Sequence, residues 1–154
     1  MHPSIPKLPA LAEHFLPHST PMVYIDRLME ADGDRGRCET ILRKGHMLLD
    51  ASGCMERSGF IELGAQAFAA HKGFEFICQG MPCPIGYLVG IQGFECLGDA
   101  HMGDRLCIDT ECLGTFEGFG VVRAVIRRDD TVLAQGKIKL YVPAPDDHDI
   151  VAGG

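Results

Sequence analysis

Tryptophan is absent from this chain of 154 residues, and positive charge is scarce: 14 lysines and arginines face 21 aspartates and glutamates, a formal charge of −7. A deficit of cations disfavours a nucleic-acid binder, which needs a basic face to meet phosphates. Long apolar runs are also missing. No segment approaches the roughly 20 apolar residues that cross a bilayer, so no membrane span is expected. Residues 1–16 are broken by prolines, Lys7 and Glu13, and lack the continuous apolar stretch of a secretory signal. The seven cysteines contain no Cys-x-x-Cys pair, and Cys78-x4-Cys83 has no matching pair of histidines. They read as reduced thiols of a cytoplasmic protein, without a metal site. No G-x-S-x-G elbow or H-E-x-x-H helix occurs, which removes the common serine hydrolases and zinc proteases. The glycines at 86, 90 and 93 have no P-loop lysine and open no helix. No cofactor is expected.

What remains is a chain with 46% hydrophobic and 23% charged residues, long enough for one packed domain. Proline-rich residues 1–16 suggest an N-terminal arm with one helical turn near Leu11 to Phe15. Residues 143–154 suggest a flexible tail, and 17–142 the domain. Strands are predicted over Met22 to Met29, Arg37 to Arg43, Ile85 to Leu97, Asp104 to Leu113, Val121 to Arg128 and Thr131 to Val142. The glycines of the third suggest a bulged strand. One long helix is predicted over Arg57 to Lys72, with Gly73 as its stop. Two strands, one helix and four strands make an α+β pattern with an antiparallel sheet. The helix is apolar around its axis, which predicts a buried helix wrapped by the sheet.

Two polar residues interrupt that helix, Glu62 and Gln66, one turn apart and so on one side. A buried carboxyl is desolvated, which raises its pKa towards the range useful to a general acid or base. The plainer alternative is a glutamate that reaches solvent or meets an arginine such as Arg57. Of the seven histidines, His14 and His71 are expected at helix ends in solvated or capping roles, and His101 in a turn. His2 and His148 are expected in the exposed arms. His18, before the first strand, and His46, in the loop before the helix, are the candidates for chemistry.

Three segments carry a resemblance. Residues 16–27, LPHSTPMVYIDR, resemble the L-P-H-R-x-P-F-L-L-V-D-R opening of the 3-hydroxyacyl-acyl-carrier-protein dehydratases; Glu62-Leu63-Gly64-Ala65-Gln66 resembles their E-A-M-A-Q helix motif, and Met102-Gly103-Asp104-Arg105-Leu106 their P-G-D-Q-L. The resemblance implies a hotdog fold, an antiparallel sheet wrapped around one central helix, usually dimeric with sites at the subunit interface. It also implies a helix glutamate that works with a loop histidine to remove water from a 3-hydroxyacyl thioester. Glu62 and Gln66 match the helix positions, but the histidine position is Leu48, and His46 stands two residues off register. The loop Leu49-Asp50-Ala51-Ser52-Gly53 is similar to a divergent branch, the dehydratase-like proteins of aryl-polyene clusters, which carry an L-D-A-x-G loop there.

The resulting expectation is dehydration of 3-hydroxyacyl thioesters in fatty-acid-type or polyene biosynthesis. Glu62 is expected as acid and His46, or a partner's histidine, as base. Gln66, Gly59, Asp50 and His18 are expected to contact substrate, with a backbone N–H near Gly59 receiving the thioester oxygen. The partners expected are an acyl carrier protein or CoA thioester, and a second chain in a homodimer or a hetero-oligomer with a related dehydratase. Arg57, Lys72, Arg123 and Arg127 are candidates for the basic patch that a carrier protein requires. The alternatives are a hotdog thioesterase, or a non-catalytic subunit of a hetero-oligomeric dehydratase.

Overall fold

The structure is a computed structural model and describes residues 5–17 and 22–143. Among the described residues seven strands form one antiparallel sheet: β1 (Ala10–Leu11), β2 (Arg27–Asp32), β3 (Arg35–Ile41), β4 (Tyr87–Cys96), β5 (Arg105–Phe116), β6 (Phe119–Arg128) and β7 (Thr131–Tyr141). Their order is β1-β2-β3-β5-β6-β7-β4. The single long helix α1 (Gly59–Cys78) lies against one face. This is the hotdog architecture.

Alternation places Leu106, Ile108, Val122, Ala124, Ile126, Ile138 and Leu140 under the helix, while charged residues occupy the other sheet face. Phe60, Leu63, Ala67 and Ala70 of α1 complete the core. Each buried Phe or Leu contributes roughly 1.5–3 kcal/mol. Register shifts between Leu88 and Gly90 and between Gln92 and Glu95 give β4 the bulges that its glycines predict.

The helix departs from expectation at its far end. Gly73 does not stop it; the helix continues to Cys78. Gly73 is there because the backbone of Phe15 crosses the helix at that point, where a Cβ would overlap the Phe15 carbonyl. The stop is Gly80, with φ +75: its N–H bonds Ile77 O at 2.9 Å and the Met81 N–H bonds Phe76 O at 2.8 Å, a paired Schellman closure. His71 therefore lies inside the helix, 1% exposed rather than solvated or capping. Desolvation holds its pKa below the ordinary histidine value.

Residues 10–16 do not form a separate arm. The helical turn expected there is a 3-10 turn over Ala12–Phe15, preceded by β1, and Ala12, Phe15 and Leu16 are buried in the core. The first long strand begins at Arg27 rather than Met22. The tail from residue 144 onward, with His148, lies outside the described residues, as do His2 and His18.

The sheet does not fully wrap the helix. Ile61, Glu62, Ala65, Ala69, Lys72 and Phe76 form a stripe that stays half-buried or exposed in the single chain. Beside it, edge strand β4 exposes Leu88, Val89 and Ile91.

Candidate active site

A cavity of about 210 Å³ follows the open stripe of α1. Glu62 lies towards one end and Lys72 towards the other, ten residues or roughly 15 Å along the helix axis. Tyr24, Phe68, Leu88 and Leu140 supply apolar walls. Lys72 is held by Glu75 at 3.0 Å, with its ammonium 5.6 Å from the Phe68 ring centre.

Gln66 is the buried member of the helix pair. Its Oε1 accepts the Tyr24 N–H at 2.7 Å and its Nε2 donates to Met22 O at 2.6 Å. The side-chain amide thus stands in for a peptide of a neighbouring strand, which is how residues 22–24 are satisfied without joining the sheet. With oxygen and nitrogen both engaged, Gln66 shapes the cavity wall. Glu62 contrasts with it. The carboxylate lines the cavity, is exposed, and meets no ion-pair partner among the described residues. The expectation of a buried carboxyl is corrected for the single chain, because the sheet covers only the opposite side of α1.

His46 is placed differently from expectation. It is half-buried and does not line the cavity. The Leu48 N–H donates to its Nδ1 at 3.2 Å, which requires the proton on Nε2, and Nε2 lies 3.2 Å from Tyr24 O. Both ring nitrogens are therefore spent on backbone, and His46 is not a free base. The Thr40 hydroxyl donates to the same Tyr24 carbonyl at 3.0 Å, so the Tyr24 peptide links His46 to Gln66 as scaffold.

Asp50 is likewise absorbed by its loop. Its Oδ1 accepts from Ser52 N at 2.8 Å, Ser52 Oγ at 2.6 Å and Cys54 N at 3.1 Å. The Ser52 hydroxyl bond, then the Cys54 amide, holds its carboxyl below the ordinary value. The amide of Gly59 donates to Glu56 O at 2.8 Å, so it is not the free donor expected for a thioester oxygen. Asp50 and Gly59 do not line the cavity. The conspicuous aspartates of the outer motifs are structural: Asp26 binds Ile41 N and Arg43, and Asp104 binds His101 N and Arg128.

Tyr24, Phe68 and Lys72 are cavity residues that sequence reasoning did not single out for the site, although Lys72 was noted for charge. The available signal was the spacing of 62, 65, 66, 69 and 72, one helical face, hidden because the helix is apolar on its other faces too.

A family model described as ApeP dehydratase matches residues 10–152. The chain belongs to the ApeP-like dehydratase family. A search of curated proteins finds no match. Among solved structures, the chain resembles the dehydratase heterocomplex ApeI:P from Xenorhabdus doucetiae, with TM-score 0.86 and 23% identity over 97% of this chain and 100% of that one. It also resembles smu.793 from Streptococcus mutans bound to acetyl CoA (TM-score 0.63, 15% identity, 84% and 96% covered). A hypothetical thioesterase with coenzyme A from Streptococcus pneumoniae TIGR4 shares the fold at TM-score 0.59 and 15% identity, with 75% and 86% covered. At these identities the solved structures speak for the hotdog fold. The family match for an ApeP-like dehydratase extends beyond the boundaries expected at residues 16 and 143.

Proposed function

We propose that this ApeP-like chain is the carboxylate-bearing subunit of a hetero-oligomeric dehydratase that removes water from 3-hydroxyacyl thioesters on an acyl carrier protein. The observation that carries this reading is the contrast in the site: Glu62 is free in an acyl-sized cavity while the nearby histidine is locked into backbone. The reaction needs an acid at the C3 hydroxyl and a base at C2. The C2–H bond breaks to the base, its electron pair forms the C2=C3 bond, and the C3–O bond breaks as Glu62 delivers a proton to the departing water. Glu62 is the acid of this chain, Gln66 keeps the wall beside it in shape, and the base is a histidine of a partner dehydratase subunit.

Two features support the partner. β4 is an edge strand with Leu88, Val89 and Ile91 exposed, a surface that strand pairing buries. The open stripe of α1 lies beside it, so a chain paired along β4 would cover Glu62 and exclude water from the cavity. The relative from Xenorhabdus doucetiae is a dehydratase heterocomplex, which favours a non-identical partner.

The test is conversion of 3-hydroxyacyl carrier protein to the enoyl product, followed by mass, with this chain alone and with a histidine-bearing dehydratase subunit added. Conversion by the pair that is lost with Glu62→Gln supports the proposal. Release of free acid would instead make the protein a thioesterase.

A further inference from the structure

The sequence supplied four candidates for a basic docking patch, and the structure separates them. Arg57 is paired with Asp99 at 3.2 Å, Lys72 with Glu75 at 3.0 Å, and Arg127 with Asp109. Arg123 makes no ion pair among the described residues, and it is not alone. Arg123 lies directly opposite Lys137 in the β6–β7 ladder, with Lys139 opposite Val121 two register pairs further on and so on the same face. All three lie on the sheet face away from the helix, since their neighbours Val122, Ala124, Ile138 and Leu140 are buried beneath it. Neither lysine makes an ion pair among the described residues. Of the bordering carboxylates, Glu111 lies directly opposite Arg123 in the β5–β6 ladder but is engaged by Arg35 at 3.2 Å, while Glu95 and Glu117 form no ion pair with the cluster. Like charges set directly across a ladder destabilise it, so folding gains nothing from Arg123 facing Lys137.

Apolar surface adjoins the cations. The β5–β6 hairpin turns at Glu117 and Gly118, both with positive φ, and carries Phe116 at 74% exposure with Leu113 and Phe119 also exposed. These residues, with Lys137 and Lys139, line an open groove of about 730 Å³. The groove and the candidate site lie on opposite faces of the sheet and meet the same end of β7. Leu140 and Val142 line the catalytic cavity, Tyr141 stacks on Phe119 at 4.7 Å, and the Val142 N–H bonds Gly118 O at 2.9 Å.

We infer that Arg123, Lys137 and Lys139, with the hairpin apolar residues, form the docking surface for the acidic carrier protein that presents the acyl thioester; this rests on the dehydratase reading above. Charge complementarity selects that occupant. A second copy in a two-fold contact would set this cation cluster against itself, whereas a carboxylate-rich carrier meets it favourably. Docking there leaves the carrier's flexible arm to turn around the end of β7 into the cavity beside Leu88.

The test uses the complex with its partner subunit. Binding of a fluorescently labelled 3-hydroxyacyl carrier protein is measured against salt, alongside turnover of the same acyl group on N-acetylcysteamine. The triple substitution Arg123→Glu, Lys137→Glu, Lys139→Glu is expected to weaken carrier binding by about tenfold or more and to flatten its salt dependence. Small-thioester turnover is expected to stay at the wild-type level, and Arg35→Glu, elsewhere on the same face, to leave carrier binding unchanged. Unchanged carrier affinity in the triple variant overturns the inference. So does dissociation of the complex on size exclusion, which would assign the patch to a subunit contact. Failure of wild type to dehydrate either substrate counts against the dehydratase reading alone, because carrier binding is read separately.

Discussion

The loop ahead of α1 and the cavity beside it handle their polar groups in opposite ways. In the loop, the polar side chains that look capable of chemistry are consumed locally: His46 by backbone through both ring nitrogens, Asp50 by the Ser52 hydroxyl and the Ser52 and Cys54 amides. In the cavity, Glu62 is left without a partner among the described residues while Gln66 behind it is fully engaged. A residue held by two backbone bonds is well placed to stabilise a loop and badly placed to move a proton. On the proposed reading, the difference means that this chain contributes one half of an acid–base pair, while its loop serves as scaffold.

Substitutions test that contrast in order of expected effect. Glu62→Gln should lower dehydration by the complex about 10²–10⁴-fold, the usual contribution of a general acid, with an unchanged melting temperature. A fall in stability without loss of activity would place Glu62 with the scaffold. Gln66→Leu orphans the Tyr24 N–H and the Met22 carbonyl, and should cost roughly 1–3 kcal/mol of stability in denaturant titrations. It should also lower turnover, because the cavity wall loses its anchor. His46→Ala breaks the sharpest line between the two regions. It should cost about 1–2 kcal/mol yet leave the turnover of the complex within about threefold of wild type. The smallest effect belongs to Asp50. Its carboxyl titrates below the ordinary value, so its contribution to the loop is complete above that ordinary pKa and is lost as the pH falls through the folded-state value. The protection of the Ser52 and Cys54 amides against exchange, relative to their intrinsic rates at each pH, should therefore fall in acid, and Asp50→Asn should abolish that pH dependence.

Much of this architecture was legible in the sequence. Period-two alternation in residues 105–113 and 121–128, and the apolar run of α1, carry the sheet, the helix and their order. The legibility failed where tertiary contacts override local signals. Gly73 looks like a stop, yet the crossing backbone of Phe15 requires a glycine inside the helix. Residues 22–26 alternate like a strand, but Gln66 supplies the hydrogen bonds that a neighbouring strand would have given. Of the site, Glu62 and Gln66 were readable because polar residues on an apolar helix stand out. The commitments of His46, Asp50 and Gly59 were not readable, since a ring or an amide bonded to backbone has the same letter as a free one. The unpaired cations were half-visible. Charge counting flagged Arg123 but also arginines that the fold pairs with carboxylates, and only the strand register brings Lys137 and Lys139 beside it.

The proposed division of labour between Glu62 and an external histidine is tested most directly by a single comparison: the rate at which 3-hydroxyacyl carrier protein loses water with this chain alone and with a histidine-bearing dehydratase subunit added. Silence from the chain alone is predicted, with dehydration by the pair that disappears when Glu62→Gln is introduced. Full activity of the chain alone, abolished by His46→Ala, would contradict it.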